Sequence, residues 1–221
     1  MEFDFSVITD HWQFLGYGLL VTLALSFASG VTSLVAGFVV ALARLYGPRP
    51  LRPLLGFYVD SMRAVPVLVV LVWTFFALPI VADVTLPPFW AALVGLTVHL
   101  AAYAAEIVRA GIESVRPGQT RAALALGMSG AQVLRRIVLP QALVRMLPAF
   151  GSLLSVTIKD TAIASVIAVP ELMRQSETVA GQSFQPIEVY TFAMLVYFVV
   201  LFPVTRGVDR LYRRVAHLGR S

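Results

Sequence analysis

From Leu15 to Ala43 the chain runs without a charged residue. A helix needs roughly 20 consecutive apolar residues to cross the hydrocarbon core of a bilayer. In that core every backbone N–H and C=O must be satisfied internally, so only helices and closed barrels can span it. Barrel strands are about 9–11 residues long and alternate in polarity; this run is longer and apolar on all sides. It also exceeds what a perpendicular helix requires, which predicts a tilted one. Four further runs follow, near Val65–Ala82, Leu86–Ala105, Met146–Val169 and Val189–Thr205. Pro87 and Pro88, opening the third, are tolerable in a first helical turn. The composition agrees, because 13% charged and 58% hydrophobic residues stand against about 25% charged in soluble domains. The expected fold class is an all-α membrane protein with five transmembrane helices. It forms a single domain over residues 1–221, with no soluble domain.

The charges sort by connection. The start holds Glu2, Asp4 and Asp10 and no basic residue, and the second connection holds only Asp83. The first connection holds Arg44, Arg49 and Arg52, with Arg63 at the next helix start. The third holds Arg109, Arg116, Arg121, Arg135, Arg136 and Arg145, the fourth holds Arg174 against Glu171 and Glu177, and the tail holds Arg206, Arg210, Arg213, Arg214 and Arg220. Basic connections alternate with basic-poor ones, which predicts the N-terminus outside and the C-terminus in the cytoplasm. An acidic start before a long apolar run argues for a retained signal anchor rather than a cleaved signal peptide. The net charge of +5 belongs to these loops, so no nucleic-acid partner is expected. There is no cysteine, His11, His99 and His217 are scattered, and the one lysine, Lys159, follows Ile158. Disulfides, clustered metal sites and a GxxxxGK[ST] phosphate loop are therefore not expected. If ATP drives this chain, another chain binds it.

One long connection, residues 114–140, is hydrophilic and helix-forming. Pro117 suits a helix start, Gln119 to Leu126 are good helix formers, and Gly127 fits a C-terminal cap. Ser129 with Gln132 matches a capping box, opening a second short helix that runs to about Leu139, where Pro140 limits it. Ala123, Leu126, Val133 and Ile137 give this unit an apolar side. A loop lying on lipid headgroups has the same pattern.

The spacing of Gly127, nine residues, Ile137 and then Leu139-Pro140 resembles the signature loop of ABC importer permeases. Ala102–Val115 (AYAAEIVRAGIESV), Arg63–Trp73 (RAVPVLVVLVW) and Ile158–Leu172 (IKDTAIASVIAVPEL) look like the polar amino-acid uptake branch. The resemblance covers the chain from its second helix to its end. It implies a type I importer permease core, multi-pass in a bacterial inner membrane. It also implies a second, like permease subunit, an ABC ATPase dimer that binds the ATP and Mg, and an extracytoplasmic solute-binding protein. This chain itself would hold no cofactor and would not be an enzyme. Docking to the ATPase falls to Gln119, Arg121, Ala122, Ala123, Leu126 and Gly127. At Arg121 the chain departs from the family, which usually has Glu there, so no family ion pair is carried over.

Lys159 and Asp160 interrupt the fourth span. Charges near mid-membrane cost at least about 2.5 kcal/mol each unless paired or wetted, and they mark pathways by default. Lys159, Asp160, Thr161 and Arg63 are the expected substrate pathway, with a structural charge network as the alternative. The family's usual Ser after the Asp-Thr pair is Ala162 here. Glu106, Arg109 and Glu113 share a helix face, either as a solvated ladder or as a gate or brace. Ser26, Gly30, Ser33 and Gly37 lay small side chains on one face of the first helix, for packing within the chain or against a second subunit. Residues 170–186 are long for a connection and suit a cap over the outer mouth. The expected function is the permease subunit of an ATP-driven importer of polar amino acids. Acidic ones are favoured by the start MEFDF and the ALALGM segment, with ectoine-like solutes also compatible. The alternatives are an ATP-independent secondary transporter or channel subunit, against which the absence of an internal repeat argues, and a non-transporting assembly subunit.

Overall fold

The computed structural model describes residues 4–215; Glu2, His217, Arg220 and the first residues of MEFDF lie outside them. Among the described residues all regular structure is helical. In chain order the elements are α1 (Ser6–Asp10), α2 (Trp12–Tyr46), α3 (Leu51–Ala64), α4 (Val67–Val72), a π-helical turn (Trp73–Ala77), α5 (Leu78–Ala82), α6 (Pro88–Glu113), α7 (Pro117–Ala125), α8 (Gly130–Val133), a second π-helical turn (Leu134–Val138), α9 (Leu139–Thr161), a 3₁₀ turn (Ala162–Ile167), α10 (Leu172–Ser183) and α11 (Pro186–Val215). Four helical stretches are long and apolar enough to cross a membrane: Trp12–Tyr46, Pro88–Glu113, Gly130–Ile167 and Pro186–Arg214. The pair Leu51–Ala64 and Val67–Ala82, bent by 108°, makes a fifth if it is counted as one broken span. The bend has a local cause. Val65 precedes Pro66 and is extended, at φ −84° and ψ 133°, because the proline ring bars the helical region to the residue before it. The polar arm of that bend, α3, is a helix where the charge pattern alone reads as a basic loop.

α6 is the centre of the bundle. Its most apolar stretch is 61% buried, against 17% for α11. Its buried face is built from small residues, among them Ala91, Ala92, Gly95, Ala101, Ala104 and Ala105, and α2 lies along it. At Gly37 an added Cβ would stand 2.5 Å from Ala104 Cβ and 2.8 Å from the Ala101 carbonyl oxygen. Ser26, Gly30, Ser33 and Gly37 are all buried, so the small-residue stripe packs inside this chain, letting two membrane helices approach closely. The outward faces carry Phe27, Phe57, Trp73, Phe198 and Val199, as a lipid-facing surface requires.

Both π-helical turns are followed at once by Leu-Pro, at Leu78-Pro79 and Leu139-Pro140. Proline lacks the N–H for the i−4 carbonyl and its ring collides with that group. The wider turn shifts the hydrogen-bond register just ahead of the ring. Helix therefore continues through Pro140, and the stop expected there is replaced by one unbroken helical run, Gly130–Ile167.

Candidate functional site

A cavity of about 730 Å³ lies between the bent α3–α4 arm, α6 and α9. Its polar wall is Arg63 from α3, His99, Tyr103 and Glu106 from α6, and Ser152 and Asp160 from α9. His99 sits near the middle of α6, and Tyr103 and Glu106 continue this wall toward its C-terminal end. Two of the expected pathway residues, Arg63 and Asp160, thus meet in one space. The other two do not. Lys159 points to the exposed face of α9, and Thr161 is fully buried with its hydroxyl donating to the Ile158 carbonyl at 2.8 Å. Adjacent helical residues project about 100° apart, which separates the lysine from the aspartate. Among the described residues neither Lys159 nor Asp160 makes an ion pair. His99 is 5% exposed, and its Nδ1 has no hydrogen-bond partner. In the sequence it stands as one of three scattered histidines. A histidine in mid-span is an intramembrane ionisable group in the same sense as Lys159, and that was the available signal.

Glu106, in the cavity lining, is the centre of a charge hub. Glu106 meets three guanidinium groups from three helices: Arg109 of its own helix at 2.5 and 3.1 Å, Arg44 of α2 at 3.4 Å and Arg63 of α3 at 3.9 Å. Arg109 also reaches Glu113 at 2.5 Å. The Arg63 guanidinium lies 5.9 Å from the Tyr103 ring centre, and the Tyr103 hydroxyl donates to the Arg63 carbonyl at 3.3 Å. The i,i+4 ladder is present, but it is tied into neighbouring helices. Arg44 is the member that its place in a basic connection concealed.

The 114–140 unit is helix, turn, helix. Gly127 has φ 81°. The Gly127 N–H donates to the Leu124 carbonyl and the Met128 N–H to the Ala123 carbonyl, the Schellman closure of α7. The capping box at Ser129 and Gln132 is formed in both directions. Ala123, Val133 and Val138 turn inward into one buried cluster, whereas Arg121, Ala122, Leu126 and Gly127 are exposed, Leu126 by 84%. Of the expected docking residues, Ala123 therefore packs inside and Gln119 is half-buried. The Gln141 amide of α9 donates to the Gln119 side chain at 2.8 Å, and Arg145 donates to the Ser114 carbonyl. The first contact ties α7 to α9, and the second ties the C-terminal end of α6 to α9.

At the other end of the bundle Glu171 is fully buried. It caps α10, accepting from the Arg174 N–H at 2.7 Å and the Met173 N–H at 2.9 Å. It also accepts from Tyr197 of α11 at 3.0 Å and from Thr22 of α2 at 3.5 Å. Burial is the largest influence on its carboxyl and pushes it above the usual range, against the pull of those donors. The sequence reading counted Glu171 only as a loop charge. Residues 172–183 of that loop form a helix.

A bundle of four to five apolar helical spans around a polar cavity, with a braced polar unit at one end, suits a membrane permease. Residues 33–217 match the family described as binding-protein-dependent transport system inner membrane component. The chain is 32% identical over 213 residues to the arginine transport system permease protein ArtQ of Bacillus subtilis, covering 95% of this chain and 97% of that one. It is 33% identical over 216 residues to the glutamine transport system permease protein GlnP of Escherichia coli, covering 97% and 99%. Its structure superposes on that of an amino acid ABC transporter with histidines at a TM-score of 0.90 and 32% identity, covering 97% of this chain and 100% of the other. The chain belongs to this permease family of ABC importers.

Proposed function

We propose that this chain is the permease subunit of an ATP-driven importer of polar amino acids, working by alternating access. The observation that carries the proposal is the cavity between the α3–α4 arm, α6 and α9, whose wall holds a carboxylate without an ion pair, Asp160, and a half-exposed cation, Arg63. In this reading the solute's ammonium group meets Asp160 and its carboxylate meets Arg63. Arg63 is already shared with Glu106, so a second solute carboxylate has no further cation to meet. The cavity favours neutral or cationic polar amino acids over the acidic ones that the N-terminal sequence suggested.

The basic connections support the orientation, and the family supports the other subunits. The N-terminus lies outside, and the 114–140 unit and the C-terminus lie in the cytoplasm of a bacterial cell, across its inner membrane. A separate ATPase dimer binds ATP and Mg and receives Leu126, Ala122, Gly127 and Arg121 in its cleft. A second permease subunit and a solute-binding protein complete the importer. The Glu106 hub with Arg109 and Glu113 acts as the brace between that docking unit and the cavity. ATP sets a direction because motor and solute each bind the two states with different affinity.

Mild-detergent purification of the tagged chain, with mass spectrometry of what accompanies it, tests the assembly. An ATPase and a second permease are expected. A chain recovered alone, folded and transporting without ATP would replace the importer by a secondary carrier. Uptake tests the docking role: Gly127→Asp abolishes ATP-dependent uptake with membrane insertion intact, and normal uptake removes the coupling assignment.

A further inference from the structure

Helix α11 changes character at Arg206. That residue stands 20 positions beyond Pro186, a rise of about 30 Å, which is the thickness of the hydrocarbon core. Arg206, Arg210, Arg213 and Arg214 then follow at i, i+4, i+7 and i+8, on one side of the helix. Phe202, one turn earlier, sits under them, with the Arg206 guanidinium 5.2 Å from its ring centre. Phe202, Arg206, Asp209, Arg210 and Arg213 together line a surface hollow of about 420 Å³. Among the described residues none of the four arginines pairs with a carboxylate. Asp209 is the one acid in the hollow, so three guanidinium groups line it against a single opposing charge, with Arg214 next along the same side of the helix.

We propose that this hollow binds the phosphate headgroup of an anionic phospholipid. Three observations converge on a lipid. The arginines begin where helix length places the headgroup layer, and clusters of four or more basic residues at that depth attract anionic lipids. Phe202 gives the hollow an apolar floor on the acyl-chain side, with the long arginine stems rising past it. The guanidinium fork fits phosphate oxygens in pairs. A topological role asks only for basic residues somewhere in the tail; their alignment over an aromatic ring is an additional arrangement.

The test uses the purified membrane protein with whatever subunits accompany it. It is exchanged into nanodiscs of mixed phosphatidylcholine and phosphatidylglycerol, and the lipid retained on release is identified by native mass spectrometry. Wild type is expected to enrich phosphatidylglycerol. Arg206→Gln with Arg210→Gln loses that enrichment on the order of tenfold, at the strength such charges carry near a membrane surface. Arg206→Lys with Arg210→Lys keeps most of it, and Arg174→Gln, in α10, keeps all of it. Retention in bulk proportion by wild type, or unchanged enrichment in the double glutamine variant, overturns the proposal. Loss of enrichment on adding inorganic phosphate at constant ionic strength assigns the hollow to free phosphate and overturns it equally.

Discussion

Glu171 and Gly127 show how single residues carry local structure here. Glu171 serves two backbone N–H groups, a tyrosine and a threonine from inside the protein. Glu171→Gln keeps the volume but turns half of the acceptor group into a donor facing donors. The expected loss is about 1–3 kcal/mol, the cost of leaving buried polar groups unsatisfied, read as a lower unfolding temperature in detergent. Tyr197→Phe removes one donor to Glu171 and should cost less, about 1 kcal/mol. At Gly127 an added Cβ would meet nothing within 4 Å, so only the left-handed backbone opposes substitution. Gly127→Ala should cost about 1 kcal/mol, with no clash contribution, and the same thermal measurement checks it.

Between elements the determining contact is α2 on α6. At Gly37 the helices meet through small residues, so volume decides the fit there, while Thr32 with Thr97 and Arg44 with Glu106 add polar contacts across the same pair. Gly37→Val drives a branched side chain into Ala104 and the Ala101 carbonyl, and overpacking of this kind costs about 1–3 kcal/mol. Gly16→Ala, on the same helix with open space at its Cβ, should be neutral or stabilising. Equal losses at the two positions in a detergent unfolding series would count against the packing account. The two π-helical turns belong to this scale as well, since each lets a spanning helix pass a proline without breaking.

Across the molecule, the Glu106 hub joins α2, α3 and α6 in the lining of the cavity that α9 also lines. Glu106→Gln leaves three guanidinium groups short of their shared carboxylate. The site is partly exposed, so the expected loss lies between a surface pair and a buried one, about 1–3 kcal/mol, and it should shrink as salt rises. Unfolding at low and high salt measures both. Asp160→Asn should leave the fold stable, because that carboxylate has no ion pair to lose. It should weaken solute uptake in reconstituted vesicles by tenfold or more, the cost of about 1.4 kcal/mol of lost charge-assisted binding.

Membrane class, helical architecture and the helix–glycine–helix unit at 114–140 follow from sequence alone. They rest on local facts: charge-free length, proline and glycine geometry, and a capping box with four-residue spacing. A local pattern could not settle which of two neighbouring charges enters the cavity. Lys159 and Asp160 are equivalent in sequence, and only the rotation of α9 against α6 puts the aspartate inside. Arg44 stands 62 residues from Glu106, and Thr22 stands 149 from Glu171. Those partnerships form through packing, so no window of the sequence contains them. The small-residue stripe on α2 is open between two surfaces for the same reason; in the fold α6 covers it at Gly37 and α9 at Gly30. Side-chain chemistry and spacing determine the elements; which faces meet is decided by how closely their small residues allow the helices to approach.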